Sequence, residues 1–375
     1  MSASTATPSR IHVLGAGAVG LLFAAHLRLA GHPVTLLLRS QAAVDRFARQ
    51  GARISVFNDW VRAHPSRKRL LQPGEDIVPC VVDGLETEAP GEHQAHSSTI
   101  RKLIIATKAQ DMVSAFWQVK ERLDAQSTVV MLQNGMGTFE AIQRRFYSTP
   151  QGAAPETPTF VIGTNSHGCL RDAGEEFATH HTAMAACKLA VRPMLPNPQE
   201  APPDSTLELL TALSALPLEV SVTSWTDLHL QLLLKLAANA IINPATALAD
   251  CRNGFMSPHC PEPPGSGFGV TMYGYVTLAC AEISAIYARA HPHLHSELAP
   301  QAIEEYVVRI INATAQNRSS MLQDVASGRP TEVDWINGFL LRLGQQHGVP
   351  TPVNSLLYSL VKLKEVSHQA PSSDE

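Results

Sequence analysis

Lys235, Asn239 and Asn243 recur at i, i+4 and i+8 in a run, residues 228–248, that is otherwise rich in Leu, Ala and Ile. Each step of four residues drifts only about 40° around an α-helix, so the three side chains share one stripe. An ammonium and two amides in an apolar wall cost free energy unless a polar pocket or buried partners receive them. A structural network at helix crossings would meet that need. So would a site in which the lysine donates a proton and the amides grip a polar ligand.

A second constellation is Gly15-Ala16-Gly17-Ala18-Val19-Gly20. It follows the apolar stretch 11–14 and opens a run, 21–30, whose helical spacing stops at Gly31. Residues 34–38 return as a second apolar stretch, which completes a strand–helix–strand unit around a G-x-G-x-x-G turn. In that context Gly15 permits the tight turn, Gly17 lets a pyrophosphate approach the backbone, and Gly20 lets the helix pack on the strand. The phosphates then sit on the free N–H groups of the helix start. The end of the second strand separates the dinucleotides. An acidic residue there would accept from the ribose hydroxyls of NAD, but this chain has Arg39 and no carboxylate before Asp45. A guanidinium fork suits the 2′-phosphate of NADPH, and the plain alternative is a solvated surface arginine.

The composition narrows the class of protein that these groups serve. At 375 residues the chain exceeds a single hydrophobic core, so two domains are expected. Hydrophobic residues make up 45% and charged residues 17%, which suits a folded chain rather than a disordered one. With 29 basic against 33 acidic residues the net charge is −4, which gives no electrostatic footprint for nucleic acid or an anionic membrane. The run 228–248 is interrupted by Gln231, Lys235, Asn239, Asn243 and Pro244, so it does not read as a membrane span. Six scattered cysteines without a C-x-x-C point to reduced thiols, and the cytoplasm is the expected compartment. The Ser/Thr-rich first nine residues are too short for an amphipathic presequence before a strand starts, which leaves a mitochondrial location as the second expectation. Cys251, His259 and Cys260 have ligand types, but no metal is expected, and the His291-Pro-His-Leu-His295 run reads as a solvated loop.

The positioning elements follow from periodicity. Further buried strands are expected at 103–106, 129–132 and 160–162, alternating with helical runs at 110–123 and 137–146, with more edge strands around 181–191 and 218–222. This alternation implies an α/β fold whose first domain, residues 1–224, is a Rossmann-type, doubly wound, mostly parallel sheet. Helices at 228–242, 273–289, 299–324, 332–347 and 355–365 imply a second, all-helical domain over 225–375.

Four blocks carry a family resemblance over nearly the whole chain. They are Val13-Leu-Gly-Ala-Gly-Ala-Val-Gly20, Gln133-Asn-Gly-Met-Gly137, Lys235-Leu-Ala-Ala-Asn-Ala-Ile-Ile-Asn-Pro244, and Asn317-Arg-Ser-Ser-Met-Leu-Gln-Asp324 continuing into Thr331-Glu-Val-Asp-Trp-Ile-Asn-Gly338. The chain resembles the ketopantoate reductases, NADPH-dependent enzymes of pantothenate synthesis. The resemblance implies reduction of a 2-oxo acid, 2-dehydropantoate, with Lys235 as general acid. Asn239, Asn243, Asn253 and Ser320 would contact substrate, and Ser320 would hold its carboxylate. Glu332 would lie beside substrate and the nicotinamide end of the cofactor, and Asn134 would face the same site from the first domain. Lys108 and Cys169 would approach the cofactor, although Cys169 departs from the small residue expected there. Asn317, Ser320 and Asp324 are expected on one helical face, with Asp324 structural, and Glu332 in the first turn of the next helix. The chain is longer than compact family members near 56–100, 147–158, 193–206 and 257–268. Alternatives are a related reductase of another 2-oxo acid, or an NADPH-binding sensor without turnover. The expected partner is a small molecule, and the expected state a monomer or homodimer.

Overall fold

The computed structural model of the chain describes residues 9–63, 80–89, 98–149, 152–153, 156–193, 201–260 and 272–369. The expected insertions fall in good part outside the described residues. The chain divides into two compact units, one of Met1–Gln133 with Thr138–Leu228 and one of Asn134–Gly137 with His229–Glu375.

The first unit begins β1 (Ile11–Leu14), α1 (Ala18–Leu29), β2 (Val34–Leu37), α2 (Gln41–Arg49), β3 (Ile54–Phe57), α3 (Trp60–Ala63), β4 (Cys80–Val82) and β5 (Glu86–Glu88). It continues with β6 (Lys102–Ile105), α4 (Met112–Val119), β7 (Thr128–Met131), α5 (Thr138–Ile142) and the ribbon β8 (Ser148–Thr149) and β9 (Gly152–Ala153). Then come β10 (Thr159–Asn165), β11 (Gly168–Arg171), β12 (Ala178–Ala183), β13 (Cys187–Val191), α6 (Asp204–Ser214) and β14 (Val220–Val222). The main sheet has the order β14-β13-β10-β7-β6-β1-β2-β5, and every pair in it is parallel except β10 with β13. Its central strands are buried along their whole length, as a sheet covered on both faces requires. Their side chains alternate between two cores. Val13, Leu36, Ile104 and Val130 join α1 and α6, whereas Leu14, Leu37, Ile105 and Met131 join α4 and α5.

The stretch expected to give edge strands around 181–191 splits between two sheets. β13 joins the main sheet, whereas β12 belongs to a second one, β11-β12-β3-β4. No Gly or Pro marks the break after Ala183, so the sequence carries no turn signal there. A polar clamp holds β12 in place: His180 Nδ1 lies 2.7 Å from Asp59 Oδ2 and its Nε2 2.9 Å from Asp172 Oδ2. Burial works against the His180 proton, but the two carboxylates outweigh it and raise the pKa.

The second unit is helical, with α7 (Trp225–Ala249), α8 (Met272–Ala290), α9 (Pro300–Ala313), α10 (Ser320–Ala326), α11 (Asn337–Gln346) and α12 (Pro352–Gln369). By length and composition α7 would span a membrane, yet 67% of its most apolar window is buried inside the protein, as in a core helix. Two expected helices are broken. The run 299–324 is two helices, because Ser319 Oγ accepts from Leu322 N–H at 3.1 Å and caps α10 as a new start. The run 332–347 opens with a 3₁₀ turn, Val333–Trp335, before α11 begins.

Candidate active site

In the first unit the glycine turn is built from backbone alone. Gly15 has φ +106°, and a Cβ there would lie 2.8 Å from Thr107 N. A Cβ on Gly20 would lie 1.9 Å from Gly15 O, so helix and strand touch where only hydrogen fits. Gly17 is different, because a Cβ there would meet nothing nearer than Ala106 O at 3.8 Å. Gly17 is also the N-cap of α1, where no side chain caps the helix and no acidic residue stands in the first turn. No side chain therefore caps the amides at the positive end of the helix, which leaves a place for an anion. Beside them Thr107 Oγ1 is buried without a partner. A buried hydroxyl left unpaired here fits a dinucleotide phosphate or ribose lying against the turn. Thr107 carried no motif signal and was missed in the sequence.

Arg39 is exposed just beyond β2, ahead of the Ser40 cap of α2. It belongs to a cluster with Arg46 and Arg171 around Glu176. Arg46 grips the Glu176 carboxylate at 2.7 and 3.1 Å and holds it below the usual range, and Arg171 and Arg39 add to that effect. Lys108 is half-buried after β6. Cys169 sits on β11 opposite His181, packed on the hydrophobic core, and burial pushes its thiol up to about 12. The neighbouring His167 turns inward, with Nδ1 3.0 Å from His181 Nε2 and Nε2 2.9 Å from Leu218 O.

The second unit holds the remaining candidates. Asn134 lies in the 134–137 segment, which belongs to the helical unit although it follows a strand of the sheet. Met136 N donates to Trp335 O at 2.9 Å. Gly135 has φ +78°, and a Cβ there would lie 2.5 Å from the same oxygen. Asn134 is thus tied to the turn that follows Glu332. Glu332 itself is 8% exposed, and α12 holds Thr331 and Asp334 on either side of it. Thr331 N donates to Glu365 Oε1 at 2.7 Å, and Asp334 accepts from Tyr358 Oη at 2.6 Å and from Lys362 Nζ at 3.3 Å. Thr331 Oγ1 accepts from Val333 N–H, so capping of this turn falls to the threonine and not to the Glu332 carboxylate.

Lys235, Asn239 and Asn243 lie on α7, the first two half-buried and Asn243 buried. The helix continues through Pro244, which has no N–H for the carbonyl of Ala240. Asn337 Nδ2 donates to that oxygen at 2.9 Å and to Asn354 Oδ1 at 2.9 Å. Tyr275 Oη donates to Ile241 O and Tyr287 Oη to Leu233 O. The polar stripe therefore rides on a helix whose backbone is satisfied from its neighbours.

Asn253 is buried beyond α7, and its backbone N–H donates to Asn317 O at 3.0 Å. Its Nδ2 donates to Thr314 Oγ1, whose own proton goes to Ile310 O, so Oδ1 is left as an acceptor with no partner. An acceptor suits a hydroxyl rather than a carboxylate. Asn317 and Ser320 do not share a helical face as expected. Asn317 lies in the loop before α10, and Ser320 is the exposed first residue of α10. Asp324 is buried and pairs with Arg329. Among the described residues no three His, Cys, Asp or Glu side chains converge to hold a metal ion.

Both units match known proteins. The family described as "Ketopantoate reductase PanE/ApbA" matches residues 11–193, and its C-terminal family, "Ketopantoate reductase PanE/ApbA C terminal", matches 227–365. The 2-dehydropantoate 2-reductase of Vibrio cholerae is 30% identical over 361 residues, covering 95% of this chain and 98% of its own. That of Escherichia coli O157:H7 is 29% identical over 363 residues, 96% of each chain. Among solved structures, D-mandelate dehydrogenase with NADH and anilino(oxo)acetate shares the fold at TM-score 0.72 and 20% identity, covering 97% of this chain and 100% of that one. The 2-dehydropantoate 2-reductase of Geobacter metallireducens shares it at TM-score 0.69 and 19% identity, covering 95% and 99%. The chain belongs to the ketopantoate reductase family of NAD(P)-dependent oxidoreductases.

Proposed function

We propose that this chain reduces 2-dehydropantoate to pantoate with NADPH. The observation that supports it most is the membership of one compact unit: Lys235, Asn239, Asn243, Asn253, Ser320, Glu332 and Asn134 all belong to the helical unit, the last through the 134–137 segment. The first unit would hold the dinucleotide through the 15–20 turn, Thr107 and Lys108, with Arg39 on the 2′-phosphate. When bound, the nicotinamide supplies the hydride to the substrate carbonyl carbon. Lys235 is cationic beforehand, so it stabilises the charge growing on the carbonyl oxygen and then delivers the proton there. Ser320 and Asn239 donate to the carboxylate. Asn253 Oδ1 and Glu332 accept from the primary hydroxyl, and Asn134 closes the site. The partner is a small 2-oxo acid, with no role for nucleic acid or membrane, and the enzyme works as a monomer or homodimer. Six free cysteines fit a reducing cytoplasm.

The test is NADPH oxidation with ketopantoate and with 2-oxoisovalerate, which lacks the hydroxyl. Buried acceptors left unpaired by the analogue should favour ketopantoate by up to about 10⁴-fold. Equal turnover of the two acids would assign the enzyme to another 2-oxo acid. In the same assay Arg39→Ala should narrow the preference for NADPH over NADH by about 1.5–3 kcal/mol. Equal use of the two cofactors by the wild type would remove that role.

A further inference from the structure

Three carboxylates stand in the turn that joins β11 to β12, and each is held by a different element. Asp172 Oδ1 accepts from the N–H groups of Gly174 and Glu175 at 2.8 and 2.7 Å, while its Oδ2 pairs with His180 of β12. Glu175 Oε1 accepts from Ser55 Oγ of β3 at 2.8 Å. Glu176 goes to α2, where Arg46 Nε and Nη2 donate to its two carboxylate oxygens. The next residue, Phe177, packs edge-on against Phe47 of the same helix, with ring centroids 4.8 Å apart. Thr179 Oγ1 of β12 donates to the carbonyl of Ala18, the first residue of α1, at 3.1 Å. The turn is thereby fixed against the two helices that follow the first strands of the dinucleotide fold.

The Arg46 guanidinium folds back along α2, and its Nη1 donates to Ala42 O at 3.2 Å, within one turn of the Ser40 cap. The Glu176 carboxylate therefore lies beside the first turn of α2 and in the electrostatic field of Arg39. A carboxylate in that place opposes the approach of a phosphate dianion to Arg39, unless a cation cancels it. Arg46 cancels it with a two-pronged grip. We propose that Arg46 and Glu176 form a charge-compensating pair that sets how tightly the Arg39 site takes a 2′-phosphate, and so how far NADPH is preferred to NADH. Both are positioning residues that act through the field at Arg39. Without Arg46 the carboxylate repels the phosphate, and without Glu176 a second guanidinium is left to attract it. This deepens the reading of NADPH as the cofactor and rests on Arg39 meeting the 2′-phosphate.

Isothermal titration calorimetry of the full chain with adenosine 2′,5′-bisphosphate and with 5′-AMP tests it, the ratio of the two affinities being the readout. A weakened fold lowers both affinities, whereas a change of field at Arg39 moves their ratio. Arg46→Ala should lower the ratio by roughly three- to tenfold, and Glu176→Gln should raise it by a similar factor. The double variant should return to within about twofold of the wild type, because both charges leave together. Arg46→Lys should hold the ratio, because the cation stays. The paired side chains are 34% and 30% exposed, so their loss should leave the thermal transition close to that of the wild type. A wild type that binds the two nucleotides equally would take the 2′-phosphate away from Arg39 and overturn the cofactor reading together with the pair. A wild type that prefers the bisphosphate, with either single variant leaving the ratio unchanged or the double variant no better than Arg46→Ala, would overturn the pair alone.

Discussion

The glycine turn of the first unit and the Lys–Asn helix of the second solve opposite problems. At the turn, function needs the absence of side chains: Gly15 and Gly20 have no room for a Cβ, and Gly17 has room but must leave it empty. On α7, function needs side chains, and the helix that carries them is braced by Asn337, Tyr275 and Tyr287, which donate to its backbone carbonyls. The first site is therefore fixed by local geometry, the second by a network spread over the sequence. Substitutions should separate the two.

The largest effect is expected inside the turn itself. Gly20→Ala drives a Cβ to 1.9 Å from Gly15 O and should prevent stable folding of the sheet unit, read as loss of the cooperative thermal transition. Gly17→Ala meets nothing closer than 3.8 Å, so the melting temperature should hold while dinucleotide affinity falls by roughly tenfold or more, about 1.4 kcal/mol. Undiminished affinity in Gly17→Ala would move the phosphates elsewhere. On the helix the contrast reverses. Lys235→Ala should lower kcat by about 10²–10⁴ with dinucleotide binding intact, and a variant retaining most of its kcat would strike lysine from the mechanism.

Acid should act chiefly on the sheet unit. His12 is held down to about 4, first by burial and then by Arg122. His181 is held to about 3, first by burial and then by His167 and His26. Both lie below the unfolded value of 6.5, so the unfolded chain takes up the proton first. Stability is complete above pH 6.5 and is lost as pH falls toward the folded values, by about 1.4 kcal/mol per pH unit for each histidine. His180 runs the other way, since its raised pKa stabilises at low pH and that contribution fades as pH rises through it. Urea denaturation at pH 7, 6 and 5 measures the slope, which should be shallower in His12→Phe. An unchanged slope would mean that His12 is not neutral in the fold.

A further substitution tests how the helix is supported. Asn337→Ala leaves the Ala240 carbonyl beside Pro244 without its donor and should cost about 1–3 kcal/mol of stability. Chemical denaturation reads it directly. A loss below about 0.5 kcal/mol would show that water takes over the bond.

The sequence by itself determined what depends on neighbours in the chain. The glycine turn between an apolar strand and an apolar helix, the strands β1, β2, β6, β7 and β10, and the stripe of Lys235, Asn239 and Asn243 all follow from spacing within a few turns. The breaks it missed are local too: the Ser319 cap competes with a long helical pattern, and the boundary between β12 and β13 lacks a turn residue. Tertiary structure alone decided the rest. That 134–137 binds Trp335 of the helical unit, that Thr107 Oγ1 is left bare beside Gly15, that Asn253 keeps an acceptor because Thr314 takes its amide, and that α12 holds Thr331 and Asp334 on either side of Glu332 depend on residues up to about two hundred positions apart. Periodicity records which way a side chain points along its own element. It holds no record of which distant donor or acceptor will meet it.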